Sequence, residues 1–265
     1  MATTYLDTIL ESHRRRAAQD DRDWQARVDG VRYEGPSFVL VLRQGSSPFI
    51  KVIAEVKRRS PSKGFLAADL DVATLTAAYR DAGASALSVL TDQEFFGGSM
   101  DDLIVARRTV ALPVLRKDFT VSENDVLDAV EAGASAVLLI VAALSDTELS
   151  SFLELTDRCG IDALVEVHDS DEAARAVDAG ARIIGVNQRD LRTFDVDPDR
   201  AASVLESLPR DVLTVCESGL ASVEDVESAA QVGFDAVLVG EAFVTASDPS
   251  ALVKTFALVP SGSRA

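Results

Sequence analysis

Cysteine is nearly absent, with only Cys159 and Cys216 in 265 residues. Two thiols without metal-ligand spacing exclude a disulfide framework, and the expectation is two small buried hydrophobes in a reducing compartment. Lysine is scarce too, confined to Lys51, Lys57, Lys63, Lys117 and Lys254. With 26 basic against 43 acidic residues the formal net charge is −17. Such acidity repels phosphodiester backbones and anionic lipid surfaces, so neither nucleic acid nor membrane is an expected partner. No uninterrupted apolar stretch reaches the ~18 residues of a membrane-spanning helix, and residues 1–21 lack the apolar core of a secretory leader. A cytoplasmic protein is expected, as a monomer or weak homodimer. The remaining composition, 47% hydrophobic and 26% charged, is ordinary for a globular chain long enough for one large core.

Internal repetition dominates what is present. Asp81-Ala-Gly-Ala-Ser-Ala-Leu resembles Glu131-Ala-Gly-Ala-Ser-Ala-Val, and the theme returns at Asp178-Ala-Gly-Ala and Gln231-Val-Gly-Phe. Each copy reads as a helix end, a glycine suited to a left-handed cap, and a short apolar strand. The marker glycines 83, 133, 180 and 233 are spaced so that each interval holds two βα units. Apolar runs place eight strands at about 51–56, 86–90, 113–116, 136–141, 163–167, 182–186, 212–216 and 236–239. Helical stretches between them open on cap signatures at Ser122-x-x-Asp125, Ser145-x-x-Glu148 and Ser222-x-x-Asp225. Eight alternating strands and helices predict an α/β fold, a single (β/α)8 TIM barrel over 51–258. A doubly wound open sheet is the alternative, but no GxGxxG follows the first strand. Residues 1–50 form an N-terminal extension with a helix near 4–19, Trp24 and 38–42 packing on the barrel, and His13-Arg-Arg-Arg16 as a solvated helix face. Residues 259–265 are expected to be a disordered tail.

Chemistry concentrates where the strands end. The first strand carries Glu55 and Lys57, two charges on one side of an otherwise apolar run. Burying them costs several kcal/mol per ion, which folding alone does not justify. Later exits supply Phe96, Lys117 and Phe119, Glu166 and His168, Asn187 and Arg189, Glu217-Ser218-Gly219, and Gly240-Glu241. Catalytic groups in this fold come from the carboxyl ends of several strands. Lysines and carboxylates converging on one rim would perturb one another's pKa values, as proton-transfer catalysts require. Ser218, Gly219 and Gly240 offer small residues and main-chain donors for a phosphate at the last two exits, and Ser60 from the first strand's loop adds a hydroxyl. Glu166-x-His168 places two metal-ligand types on one face, but without zinc-type spacing no metal is expected.

The segment Ile53-Ala-Glu-Val-Lys-Arg-Arg-Ser-Pro-Ser-Lys-Gly64 resembles the signature of indole-3-glycerol-phosphate synthases. The resemblance continues in order through Leu90–Ser99, Pro113–Phe119, Leu164–His168, Gly185–Leu191, Glu217–Gly219 and Val239–Glu241. It implies ring closure, decarboxylation and dehydration of 1-(2-carboxyphenylamino)-1-deoxyribulose 5-phosphate, an anionic sugar phosphate, without a cofactor. Carried over, Lys117 would be the general acid at the ribulose carbonyl and Glu166 the base of the dehydration. Lys57, paired with Glu55 and helped by Arg189, would hold the anthranilate carboxylate. Asn187 and Glu217 would orient sugar hydroxyls, Phe96 and Phe119 would flank the aromatic ring, and Ser60, Ser218, Gly219, Gly240 and Glu241 would hold the phosphate. Other phosphate-binding barrels, such as phosphoribosylanthranilate isomerase, would put a Cys or Asp acid–base pair at the exits. A degenerate, non-catalytic barrel would have lost Lys117 or Glu166. Residues 20–48 depart from the family pattern, and Cys216 stands where a smaller residue is commoner, with only a packing change expected.

Overall fold

A computed structural model describes residues 4–43, 48–60, 63–189 and 195–262. Eight parallel strands close on themselves: β1 Lys51–Val56, β2 Ala86–Leu90, β3 Val114–Lys117, β4 Ala136–Ile140, β5 Asp162–Val167, β6 Ile183–Asn187, β7 Leu213–Glu217 and β8 Ala236–Val239. Each pairs with its sequence neighbours, and β8 returns to β1. The closed barrel replaces the open-sheet alternative. All four marker glycines lie at positive φ, between 87° and 106°, the left-handed turn that a β-carbon would strain. Ser122, Ser145 and Ser222 each complete a capping box with the carboxylate three residues on.

Strand parity divides the core in two. Residues of one parity, among them Ile53, Leu115, Leu138, Leu164, Ile183, Val215 and Leu238, fill the barrel interior. The other parity, including Val52, Val89, Val137, Val165 and Val237, packs against the helices. Continuing the interior parity toward the carboxyl ends reaches Glu55, Lys117, Glu166, Asn187 (past Gly185), Glu217 and Gly240. The ladders keep these groups level: Glu55 pairs in register with Ser88, Leu90 with Lys117, Ile140 with Glu166, and Asn187 with Glu217. An apolar plug below and a polar ring above thus follow from alternation in a sheared, closed sheet.

The amino-terminal segment packs on both ends of the barrel. Helix α1, Tyr5–Gln19, runs across the carboxyl rim, and α2 is Trp24–Val28. Helix α3, Phe38–Arg43, drives Phe38 and Leu42 into the base of the interior cluster. The solvated face expected at 13–16 holds for Arg14, Arg15 and Arg16, which are exposed, and is corrected at His13 alone. His13 is buried against Asp92, Arg14 binds Glu148 and the Ala143 carbonyl, and Arg16 reaches Asp92. At His13 the buried carboxylates of the docked loops override the local polarity of the run. The tail is corrected in part as well: Val259 is buried, Pro260 bridges to Phe49, and Ser261 N donates to the Pro48 carbonyl. Residues 263–265 lie outside the described residues. Both cysteines are free and buried.

Candidate active site

One cavity opens at the carboxyl mouth, and its lining includes every residue singled out from the sequence for catalysis or binding, from Glu55 and Lys57 through Gly240 and Glu241. Pro61 and Ser62 of the first motif, and Asp190 and Leu191 of the later one, lie outside the described residues. At the cavity's base Lys117 Nζ stands 3.0 Å from Glu166 Oε2 and 3.5 Å from Glu217 Oε2. Glu166 Oε1 accepts from Asn187 Nδ2 at 3.1 Å, and Asn187 Oδ1 accepts from the Arg189 N–H at 3.0 Å. A second pair stands nearby: Lys57 Nζ is 2.9 Å from Glu55 Oε1, whose other oxygen accepts from Ser88 Oγ at 3.2 Å. Leu138, Ile140 and Leu238 floor the cavity, and Phe96 and Phe119 wall it.

Two glycines exist to make room for this ring. A Cβ on Gly185 would overlap Glu217 Oε1, and a Cβ on Gly240 would overlap Glu55 Oε1. Each carboxylate lies in the space that a neighbouring strand leaves by lacking a side chain. The β7 exit is strained: Ser218, at φ 67°, is the non-glycine residue at positive φ among those described, and Gly219 follows at φ 72°. An L-residue there costs on the order of 1–2 kcal/mol, and such strain clusters at functional sites. Gln188 Nε2 holds the turn by donating to the Ser218 carbonyl at 3.2 Å and to Cys216 Sγ at 2.8 Å. Cys216 therefore does more than pack, because it shares the amide that pins the turn. On the facing loop Ser60 Oγ accepts from Lys63 N, and the Lys63 ammonium pairs with Glu241.

The charges at the base are strongly coupled. Burial pulls the Lys117 ammonium down, but Glu166, Glu217 and Glu55 outweigh it and hold its pKa above the ordinary lysine value. Burial pushes Glu166 up, yet Lys117, His168 and the Asn187 amide bring it below the usual carboxylate range. Glu217 moves the other way. Burial, reinforced by the charges of Glu166 and Glu55, raises it despite Lys117. One carboxylate is thus ionised and its neighbour inclined to hold a proton, which separates base from donor. Burial also lowers His168, but a hydrogen bond to Glu172 and the charges of Glu166, Glu172 and Glu217 leave it raised. Its Nε2 lies 3.5 Å from Glu166 Oε1.

Several contributors escaped the sequence reading. Ser88 has interior parity and the register of Glu55, a signal available only once strand pairing is known. Leu90 lines the cavity beside Lys117, together with Asp118, which the sequence places at the third strand's exit. The apolar floor was legible as core but not as cavity.

Comparison with known proteins agrees with this geometry. The family model described as indole-3-glycerol phosphate synthase matches residues 6–256. An indole-3-glycerol phosphate synthase of Micrococcus luteus is 54% identical over 78% of this chain and 77% of its own. Those of Mycolicibacterium vanbaalenii and Mycobacterium tuberculosis are 46% and 47% identical, covering 95% and 94% of this chain and 93% and 92% of theirs. Among solved structures, a thiamine phosphate pyrophosphorylase from Pyrococcus furiosus superposes with TM-score 0.60 at 15% identity, over 78% of this chain and 93% of its own, a likeness of fold alone. With a family model spanning nearly its whole length and relatives this similar, the chain belongs to the indole-3-glycerol phosphate synthase family.

Proposed function

We propose that the ring at the barrel mouth carries out indole-3-glycerol phosphate synthesis, the ring-forming step of tryptophan biosynthesis, on 1-(2-carboxyphenylamino)-1-deoxyribulose 5-phosphate. The observation that carries the assignment of roles is the Lys117 ammonium held between Glu166 and Glu217 at the base of the cavity. The aromatic carbon bearing the carboxylate attacks the ribulose carbonyl carbon, and Lys117 delivers a proton to the carbonyl oxygen as the new bond forms. The bond to the carboxylate then breaks, carbon dioxide departs, and its electron pair restores the aromatic ring. Lys117, reprotonated from solvent, gives the new hydroxyl a second proton and it leaves as water, while Glu166 takes the proton from the adjacent ribulose carbon, whose C–H electron pair forms the second double bond of the five-membered ring. The pairing holds the lysine in its proton-bearing form and Glu166 in its ionised form, the protonation states from which an acid and a base must start.

Lys57, steadied by Glu55 and Ser88, meets the anthranilate carboxylate together with Arg189 until decarboxylation. Phe96 and Phe119 flank the aromatic ring over the apolar floor. Asn187 and the proton-holding Glu217 orient the sugar hydroxyls. Ser60, the strained Ser218-Gly219 turn, Gly240 and Glu241 take the phosphate through hydroxyl and main-chain donors. Proton transfer and ring closure require no cofactor. Among the described residues no helix is long and apolar enough to cross a membrane. The net charge of −17 supports the absence of a nucleic-acid partner.

Incubation with the carboxyphenylamino-deoxyribulose phosphate should give rising indole fluorescence. Lys117→Ala should lose at least about 10³-fold in kcat while still binding substrate, because an acid acts mainly in the transition state. Turnover within about tenfold of the parent would remove Lys117 from the acid role.

A further inference from the structure

Two carboxylates at neighbouring strand exits, Asp92 after β2 and Asp118 after β3, face one imidazole supplied from outside the barrel. His13 Nε2 lies 3.0 Å from Asp92 Oδ2 and 3.7 Å from Asp118 Oδ1, and all three residues are buried. Asp92 is also the N-cap of the short helix Gln93–Phe96, where Oδ1 accepts from the Phe95 N–H. Asp118 accepts from the Phe119 N–H at 2.9 Å, from Thr91 Oγ1 at 2.6 Å and from Arg116 Nη2 at 3.1 Å. The His13 ring centroid is 5.4 Å from that of Phe119. Helix α1 is held to the same rim by Ser12 Oγ donating to Glu94 Oε2 and by Tyr5 packing edge-on against Phe95. Every one of these links from α1 ends on the short helix and its cap, which present Phe96, or on the two residues Asp118 and Phe119.

We propose that His13 is a positioning residue that clamps the β2 and β3 exits together from α1 and so fixes the spacing of Phe96 and Phe119. The inference rests on the assignment of those two phenylalanines to the substrate's aromatic ring. Two buried carboxylates on adjacent loops repel each other, and an imidazole bonded to Asp92 and lying 3.7 Å from Asp118 separates them and makes their spacing definite. Without the imidazole, Arg16 still reaches Asp92, and Arg116 and Thr91 still satisfy Asp118. The exits therefore stay folded and lose only their fixed separation. Two guanidinium groups on the same carboxylates offset the charge that a cation would need, which makes the trio a clamp and not a metal site.

Four variants test the clamp in steady-state assays with the carboxyphenylamino-deoxyribulose phosphate, with inorganic phosphate as competitive inhibitor. His13→Ala should raise KM about tenfold with kcat within about twofold and the phosphate inhibition constant unchanged. His13→Gln, whose amide can donate from near the Nε2 position, should bring KM back to within about threefold of the parent. Phe119→Ala should raise KM by itself, and adding His13→Ala to it should raise KM by less than about twofold more, since both act on one contact. If Phe119→Ala raises KM and His13→Ala does not, the clamp is wrong and the ring assignment stands. If Phe119→Ala leaves KM unchanged, the ring assignment fails and takes the clamp with it. Equal impairment of His13→Ala and His13→Gln, or independent effects of residues 13 and 119, would reduce His13 to packing. Should His13→Ala not fold, His13→Asn keeps a polar group but places its amide short of the Nε2 position, and an unchanged KM there overturns the clamp.

Discussion

Gly185→Ala adds one methyl group in the middle of β6, and the atoms around that methyl determine its effect. The new Cβ would overlap Glu217 Oε1, stand 3.0 Å from Glu217 Cδ and lie 3.2 Å from Leu164 Cδ1. The group that gives way is the end of a side chain, so the strand survives and the carboxylate moves. Overpacking of this kind costs about 1–3 kcal/mol, and for a domain of this size each kcal/mol lowers Tm by about 2–4 °C. The catalytic loss should be larger than the stability loss suggests. Glu217 sits 3.5 Å from Lys117, and a displacement of about 1 Å in a positioned group can cost about 10²-fold in rate. The expected result is a folded protein with kcat lowered about 10²-fold. The assay is a cycle of Gly185→Ala, Glu217→Ala and the double variant, read by kcat and by thermal melting. With Glu217 truncated, the added methyl loses its overlap and keeps only the 3.2 Å contact with Leu164 Cδ1, so the double variant should match Glu217→Ala in kcat and come close to it in Tm. Additive losses in Tm, or Gly185→Ala with kcat within about threefold of the parent, would refute the claim that this glycine makes room for the carboxylate.

Lys57→Ala should raise KM far more than it lowers kcat, because it removes a contact made already in the bound substrate; an unchanged KM would count against carboxylate anchoring. Ser218→Gly relieves a left-handed serine, so Tm should hold or rise slightly while phosphate affinity falls by at most about tenfold, and a clear drop in Tm would contradict the strain. The pH dependence of stability should separate the two carboxylates. Glu217 has a raised pKa, so its proton-linked stability is fully present below the ordinary carboxylate value and is lost as pH rises through the raised one. The Tm of the parent relative to Glu217→Gln should therefore decline as pH rises from the ordinary carboxylate value toward the alkaline side, and an increasing difference would reverse the assignment.

The chain's pattern made the barrel legible because it is built from local signals. Gly83, Gly133, Gly180 and Gly233 end helices by a backbone conformation that glycine adopts without strain. The three serine caps announce helix starts within four residues, and each apolar run declares a strand. The site was legible for a related reason: in a barrel, interior parity followed to the strand exits leads to Glu55, Lys117, Glu166, Asn187 and Glu217. Tertiary structure alone decided the rest. Which carboxylate pairs with which lysine depends on register between strands far apart in sequence, as with Ser88 beside Glu55. Gly185 and Gly240 look like ordinary strand glycines until the side chain across the ring is seen to occupy their missing Cβ. His13, in a run of four basic residues, gave no local sign of burial, because its partners Asp92 and Asp118 lie some eighty and a hundred residues away. Periodicity and caps act over a few residues and can be read in one dimension; electrostatic partnership and steric vacancy depend on distances that exist only after the chain has closed on itself.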